Sequence, residues 1–264
     1  MTLNDILYEK TDGVAIATFN RPDSLNAFRH STLQEILHIF HDIQADDAIR
    51  VLILTGKGRA FSAGIDLKET TSLSNESVSL KQAREHLRML QDITRRMVHL
   101  SKTIIAAVNG IAVGIGVELA IASDIRIAAD TATFAFAEVK RGLFETNGVM
   151  YFLPRLVGLG RAMEMLLTGE KVSSHKALEA GLVTRVVPQD DLIGVAMGMA
   201  RTIASNAPIS VRLVKQVIQR SLDLDLEAVM QLEVDGMMEC LTSQDLQEGV
   251  QAFIEKRAPV YTGQ

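Results

Sequence analysis

The chain has 264 residues, of which 47% are hydrophobic and 22% charged, so it is long enough for one large domain or two smaller ones. Its net charge of −5 does not favour binding to nucleic acid or to an anionic membrane surface. The single cysteine, Cys240, excludes an internal disulfide, and the N-terminus lacks the pattern of a signal peptide, so we expect a cytoplasmic protein.

Hydrophobic periodicity predicts alternating strands and helices along the first three quarters of the chain. The predicted strands are, in chain order, residues 14–19, 51–55, 103–108, 125–128, 133–136 and 183–187. Helical stripes lie between them, one from Leu33 to Ile43 and one from Leu80 to Met97. Such alternation is typical of an α/β fold.

After Pro188 the pattern changes, because only helical periodicity remains. The predicted helices are residues 191–205, 209–222, 224–241 and 243–255. We place a boundary near residue 200, with a core at residues 1–200 and a helical assembly element at residues 201–264. The long polar stretch at residues 69–79 is predicted to be a mobile loop.

The apolar stretch at residues 103–123 carries a single charge, Glu118. Its length suits a membrane span, but Asn109 and Glu118 interrupt it, and the sequence has no second span. We therefore predict two elements here, a buried strand at residues 103–108 and, after Gly114, a short helix that carries Glu118. A lone buried carboxylate is costly, so it is usually paired, neutralised or used in chemistry.

Three other stretches combine small or turn-forming residues with acids: NRPDSLNA at 20–27, GRAFSAGIDLK at 58–68 and FAE at 136–138. Taken singly, each fits an ordinary role, such as a helix cap at Asp66 or a strand-end charge at Glu138 that pairs with Lys140 or Arg141. Taken together, they indicate loops whose backbone N–H groups converge on one oxygen, beside two carboxylates suited to acid–base chemistry. The sequence therefore predicts proton chemistry next to a polarised carbonyl.

Other kinds of site fit the sequence less well. None of the six histidines accompanies a G-x-S-x-G motif, so a Ser/His/Asp triad is not predicted. His38 and His41 could share a metal ion, but the sequence suggests no third ligand, and we predict no metal site. Gly114 and Gly116 begin a dinucleotide fingerprint, but Leu119 stands where the third glycine belongs.

Seven motifs in order resemble the enoyl-CoA hydratase/isomerase superfamily, also called crotonases, over nearly the whole chain. They are NRPDSLNA, RAFSAGIDLKE, AAVNGIAVGIGVELA, SDIRIAADTATFAFAEVKRGL, FLPRLVG, SSHKALEAGLVTRVVP and QEGVQAFIEKR. The resemblance implies an α/β fold in which repeated β-β-α units wind into a spiral, followed by a C-terminal helical trimerisation domain. It further implies an acyl-CoA substrate and a homotrimer or a hexamer made of two trimers. No metal or redox cofactor is expected, because coenzyme A is part of the substrate.

The resemblance also carries roles over to particular positions. Glu118 and Glu138 correspond to the two catalytic glutamates of true hydratases, and the N–H groups of Ile65 and Ile115 correspond to the oxyanion hole. The remaining matched positions bind the thioester and CoA: Ala27, Ala63, Gly64, Asp66, Leu67, Gly114, Phe253 and Lys256. In the family the last two commonly belong to a neighbouring subunit.

One departure from the family concerns the stretch after Glu138. Hydratases have a proline and a run of glycines here, which help to place the reacting water. This chain reads GLFETNGV at 142–149, so that only Gly148 remains of the glycine run and Glu145 adds a third acid. The expected activity is hydration of a trans-2-enoyl-CoA, and the altered stretch keeps double-bond isomerisation open. Hydrolysis, decarboxylation and dehalogenation of thioesters also stay open.

A function of another class, RNA binding, would use a basic helix as in some relatives. Lys81, Arg84, Arg88 and Arg95 share one helical stripe with Arg96 near it, but Glu85 and Asp92 are interleaved with them. We interpret the stripe as a solvated face.

Overall fold

The computed structural model describes residues 2–66 and 80–264. Leu67 and the polar stretch at residues 69–79 fall between these two ranges, so the predictions that concern them lie outside the described residues.

The strands and helices alternate as far as residue 187, and helices alone follow. The strands are β1 (Ile6–Thr11), β2 (Val14–Phe19), β3 (Val51–Gly56), β4 (Ala60–Ser62), β5 (Thr103–Val108), β6 (Ile111–Val113), β7 (Ile125–Ala129), β8 (Thr133–Ala135), β9 (Val172–Ser173) and β10 (Arg185–Val187). The helices are α1 (His30–Ala45), α2 (Leu80–His99), α3 (Ile115–Ala122), α4 (Val149–Val157), α5 (Leu159–Thr168), α6 (Ser174–Ala180), α7 (Leu192–Ala204), α8 (Pro208–Ser221), α9 (Leu226–Leu241) and α10 (Gln244–Glu255).

The larger sheet has six strands in the order β1-β2-β3-β5-β7-β10. Only β1 pairs antiparallel, with β2, and the other neighbours are parallel. Every residue of β5 is buried, and β3 is buried from Val51 to Thr55. Continuous apolar runs of this kind are typical of parallel strands that are covered on both faces. Helix α7 packs against the central strands of this sheet.

The smaller sheet, in the order β4-β6-β8-β9, positions the candidate site. Its strands β4, β6 and β8 are parallel, with Ser62 opposite Ala112 and Val113 opposite Ala135. The three chain segments that follow these strands therefore emerge at one edge. Ligands of parallel α/β sheets bind at the carboxyl ends of the strands, so this edge is where a site is expected.

Two buried asparagines hold the turns next to β4. Asn26 Nδ2 donates to the carbonyl oxygens of Lys57 and Ala60, at 3.0 and 2.7 Å. Asn109 Oδ1 accepts from the Gly56 N–H, and its Nδ2 donates to the carbonyl oxygen of Gly58, each at 2.9 Å. These bonds satisfy backbone groups that the short strand leaves unpaired.

The predicted α/β alternation is confirmed, and each of the six predicted strands lies within two residues of an observed one. The helical stripes and the four C-terminal helices are confirmed as well. Both elements predicted at residues 103–123 are confirmed, as β5 and α3, but the sequence missed β6 (Ile111–Val113), which lies between them. A strand of three residues is too short to show a period of two. The sequence also left β1, β4, β9 and helices α4–α6 unpredicted.

The C-terminal helices expose much apolar surface. Residue 200 lies in α7, and beyond it α8, α9 and α10 leave Val214, Leu226, Met237 and Phe253 more than half exposed. An assembly role for residues 201–264 stays a prediction. Among the described residues, no helix is long and apolar enough to cross a membrane.

Helix α3 lies so close to β4 that only glycine fits at position 116. A Cβ on Gly116 would lie 2.5 Å from the Ser62 carbonyl oxygen. We predict that Gly116→Ala lowers the free energy of unfolding by about 1–3 kcal/mol, the usual cost of overpacking. Chemical denaturation measures the change.

The matched control is Gly198→Ala in α7, where a Cβ meets no heavy atom within 4 Å. Alanine should raise the free energy of unfolding there by about 0.5–1 kcal/mol, because it restricts the unfolded chain and favours the helix. Equal stability of Gly116→Ala and the wild type would contradict the close packing of α3 on β4.

Candidate active site

The two glycine loops that the sequence singled out touch each other at the edge of the smaller sheet. Gly64 has φ +98° and Gly114 has φ +55°, a region that L side chains rarely adopt. A Cβ on Gly114 would lie 3.5 Å from the Gly64 Cα, and a Cβ on Gly64 would lie 3.2 Å from the Val113 carbonyl oxygen. A side chain at Gly64 would crowd the Val113 carbonyl oxygen, and the positive φ at both positions would strain any other residue, so the close approach favours glycine in both loops.

This contact brings the two predicted N–H donors to neighbouring loops. The bridge between Phe28 and Ile65 uses the Gly64 carbonyl oxygen and the Asp66 N–H, each at 2.8 Å, and leaves the Ile65 N–H out of the pairing. Ile115 is the first residue of α3, so its N–H has no acceptor within the helix. Within residues 2–66 and 80–264, neither N–H donates a backbone hydrogen bond, and the Ile115 N–H lies at the positive end of the α3 dipole.

Glu118 lies in the first turn of α3, a helix whose eight residues are all buried. Its side chain is 3% exposed, and its Oε2 accepts a hydrogen bond of 2.5 Å from Asn147 Nδ2. Burial raises the pKa of the Glu118 carboxyl above its usual range, while the Asn147 bond opposes that rise. A carboxyl with a raised pKa holds a proton more readily than an exposed one, which suits it to proton transfer.

Glu138 begins a short 3₁₀ turn, Glu138–Arg141, that follows β8. A Cβ built on Gly114 would lie 3.1 Å from Glu138 Oε1, so the Glu138 carboxylate packs against the glycine loop. Its Oε2 is buried. Lys140, which the sequence offered as a partner, forms its ion pair with Glu170 at 2.9 Å instead.

Glu145, the third acid noted in the sequence, joins the other two glutamates. One carboxylate oxygen from each of Glu118, Glu138 and Glu145 lies within 4.8 Å of the others. Burial raises the pKa of the Glu145 carboxyl well above its usual range, and the negative charges of Glu138 and Glu118 raise it further. Three oxygen ligands would suit a hard cation such as Mg²⁺. The sequence predicts no metal site here, and the absence of a metal ion stays a prediction.

Of the predicted substrate-binding positions, Ala27, Ala63, Gly64, Asp66 and Gly114 lie in these loops. The Ala63 N–H donates to the Leu25 carbonyl oxygen at 2.9 Å. Phe253 and Lys256 lie at the end of α10, where Phe253 is 85% exposed. Leu67 lies outside the described residues.

Several functional candidates had no signal that singled them out in the sequence. Arg21 pairs with Asp66 at 2.9 Å and also donates to the Ala27 carbonyl oxygen, so it ties two of the loops together. Asn147 holds Glu118 although it is 29 residues away in the chain. Gln91 of α2 donates to the Thr146 carbonyl oxygen at 3.2 Å and so supports the Asn147 segment. Their partners are distant in the sequence, so only the tertiary structure shows that these side chains belong to the site.

Known proteins of similar sequence and structure share this architecture. A short-chain-enoyl-CoA hydratase of Clostridium acetobutylicum is 37% identical over 258 residues, which are 97% of each chain. A 1,2-epoxyphenylacetyl-CoA isomerase of Escherichia coli is also 37% identical, with 98% of each chain covered. The crystal structure of an enoyl-CoA hydratase from Bacillus anthracis has a TM-score of 0.94 and 38% identity, covering 99% of this chain and 100% of that one.

The sequence model of the family described as enoyl-CoA hydratase/isomerase matches residues 9–264. Together with the relatives above, this match confirms both the resemblance seen in the motifs and the predicted crotonase fold. The chain belongs to the enoyl-CoA hydratase/isomerase family.

Proposed function

We propose that the protein is an enoyl-CoA hydratase, which adds water to a trans-2-enoyl-CoA and gives a 3-hydroxyacyl-CoA. One observation carries the proposal: Glu118 and Glu138 converge beside the touching glycine loops that bear the Ile65 and Ile115 N–H groups. Donors and carboxyls in this relation suit proton chemistry next to a thioester carbonyl. The relatives named as short-chain-enoyl-CoA and crotonyl-CoA hydratases support the same activity.

The two N–H groups bind the thioester oxygen in this mechanism. Negative charge develops on that oxygen as the enolate forms, and donors already aimed at it stabilise the transition state without reorganisation. The loops that carry Ile65 and Ile115 are held by Gly64 and Gly114, so the donors are in place before the substrate arrives.

The Glu118 and Glu138 carboxyls bind one water molecule and transfer its protons. One carboxylate takes a proton from the water as the water oxygen bonds to C3, and the other carboxyl gives a proton to C2. Passing the gained proton from the first carboxyl to the second restores the starting state. The Asn147 bond fixes the orientation of Glu118 for this exchange. Thioester and N–H groups supply the activation, so we propose that no cofactor takes part.

Double-bond isomerisation is the second candidate, and Glu145 is the observation that favours it. An acid at this position replaces part of the glycine run expected of hydratases, and a relative of similar identity is named as an isomerase. Isomerisation needs one proton shuttle between C2 and C4. RNA binding has weaker support, because Asp92 on the basic helix already pairs with Arg96 at 2.8 Å.

We also propose a homotrimer, or a hexamer of two trimers, in the cytoplasm. A groove of about 860 Å³ lies between α8 and the core, lined in part by Ile121, Tyr151, Val214, Ile218 and Leu222. Contiguous apolar surface of this kind usually marks an interface. Phe253 and Lys256 would reach the CoA of a neighbouring subunit. The single cysteine, which forms no disulfide, is consistent with a reducing compartment.

Glutamine substitutions separate hydration from isomerisation. Glu118→Gln and Glu138→Gln keep the side-chain shape and remove the titrating proton, so each should slow crotonyl-CoA hydration by about 10²–10⁴-fold. Steady-state rates on crotonyl-CoA and on a 3-enoyl-CoA test this. If the protein is an isomerase, only Glu138→Gln should cause a severe loss of activity. Normal hydration by Glu118→Gln would remove the hydratase proposal.

Ile115→Pro removes the predicted donor together with part of a buried side chain. Proline is tolerated at the first position of a helix, so the variant should fold. Because proline has no N–H, kcat should fall by about 10²–10³-fold. Ile115→Val, which keeps the N–H and most of the packing, is the control and should retain far more activity. A folded proline variant with normal kcat would mean that the Ile115 N–H does not bind the substrate.

The assembly is tested on α8. Ile218→Asp combined with Leu222→Asp places two charges in the apolar groove, so the oligomer should dissociate because burying unpaired charges is costly. Light scattering measures the mass. Gln216→Asp, on α8 but not lining this groove, is the control and should leave the mass unchanged. A double variant that keeps the wild-type mass would place the interface elsewhere.

A further inference from the structure

Glu145 lies in a segment whose burial is the reverse of the usual pattern. Its side chain is 5% exposed, whereas the preceding Leu143 and Phe144 are 57% and 73% exposed. Leucine and phenylalanine are normally the buried residues and glutamate the exposed one. The chain thus turns a carboxyl into the interior although two apolar side chains were available, which costs free energy unless the acid has a role.

Both carboxylate oxygens of Glu145 lack a hydrogen-bond donor among the described residues. Glu118 in the same group does have one, in Asn147 Nδ2. Ionised carboxylates can only accept, so three of them within 4.8 Å would repel one another and leave Glu145 without any partner. One proton on Glu145 removes a charge and supplies a donor within reach of Glu118 and Glu138.

The protonation of Glu145 is governed mainly by its burial and by the two neighbouring acids. Helix α3 presents Glu118, and the 3₁₀ turn after β8 presents Glu138. Among the described residues, the charges that act most on Glu145 are those of Glu138 and Glu118, and both raise its pKa. On the described part of α2, Gln91 donates to the Thr146 carbonyl oxygen, Thr94 lies near Gly148, and Arg95 donates to Gln91.

A neutral Glu145 also suits the chemistry proposed above, on which this inference rests. Negative charge grows on the thioester oxygen in the transition state, so each additional carboxylate charge nearby raises the barrier. A protonated third acid adds a donor without adding charge. Its single O–H donates to one of the two neighbouring carboxyls at a time and restricts the orientation of the carboxyl that accepts it.

We propose that Glu145 works in its protonated form, as a neutral hydrogen-bond donor that orients the Glu118–Glu138 pair. It is a positioning residue, which exchanges no proton with the substrate. Ionisation of Glu145 at high pH then turns the donor into a repelling charge and limits activity on the alkaline side.

Two substitutions test the positioning role. Glu145→Leu has a similar volume and no donor, so kcat for crotonyl-CoA should fall by about 10–10²-fold with a much smaller change in KM. Glu145→Gln keeps a neutral donor, so it should restore most of that loss. Because glutamine cannot ionise, the alkaline limb of its kcat profile should move to higher pH than in the wild type.

A second readout needs no activity. A carboxyl whose pKa is raised on folding binds its proton more tightly in the folded chain, so its contribution to stability is lost as pH rises from about 4.5 toward the folded value. The unfolding midpoint of Glu145→Gln relative to the wild type should therefore increase with pH over this window. Infrared difference spectra of the wild type should show a protonated carboxyl at neutral pH that Glu145→Gln lacks.

The outcomes separate this inference from the proposed function. If no enoyl-CoA is hydrated but the stability and infrared results hold, the proposed reaction fails while the neutral acid stands. A loss of about 10²–10⁴-fold in Glu145→Gln at neutral pH would make Glu145 a proton-transferring residue and overturn the proposal. It would also be overturned by a midpoint difference independent of pH, by full activity of Glu145→Leu, or by Mg²⁺ or Mn²⁺ stabilising the wild type but not Glu145→Gln.

Discussion

The contact between the Gly64 and Gly114 loops is the constraint on which the candidate site depends. It arises because β4 and β6 are parallel neighbours, so the segments that follow them leave the sheet at the same edge. Glycine at both positions lets the backbones approach within ordinary contact distance. The Ile65 and Ile115 N–H groups and the Glu138 carboxylate all take their places from this approach, and Gly116 keeps α3 close enough to bring Glu118 beside them.

Electrostatics then decide what the site can do. Burial raises the pKa of the Glu118 and Glu145 carboxyls, which lie within 4.8 Å of each other and of a Glu138 oxygen, and this favours a proton shared within the group. Sharing is useful for a reaction that removes one proton from water and gives one to carbon. The donor from Asn147 to Glu118 and the absence of any described donor to Glu145 make the three acids unequal. Unequal environments are what allow neighbouring carboxyls to take different roles.

Much of this could be read from the sequence. A single charge in an apolar stretch of 21 residues marked Glu118, and hydrophobic periodicity predicted six strands, the helices α1 and α2 and the four C-terminal helices. The six-residue strand β1 was missed because most of its residues are exposed. Strands β4, β6 and β9 have only two or three residues and carry no readable period. Glu145 was seen as an acid near the site, but its inward orientation beside an exposed Phe144 depends on tertiary packing. Arg21 and Asn147 were missed as site residues because their partners are 45 and 29 residues away.

The proposed reaction of the site formed by Glu118, Glu138 and Glu145 is the addition of water to a carbon–carbon double bond. Incubating the protein with crotonyl-CoA in water labelled with heavy oxygen, followed by mass spectrometry, tests it most directly. Hydration by this site gives a 3-hydroxyacyl-CoA that has gained one labelled water, with the heavy oxygen on C3. A product with a moved double bond and no label, or label only in a carboxylate released from the thioester, would contradict it.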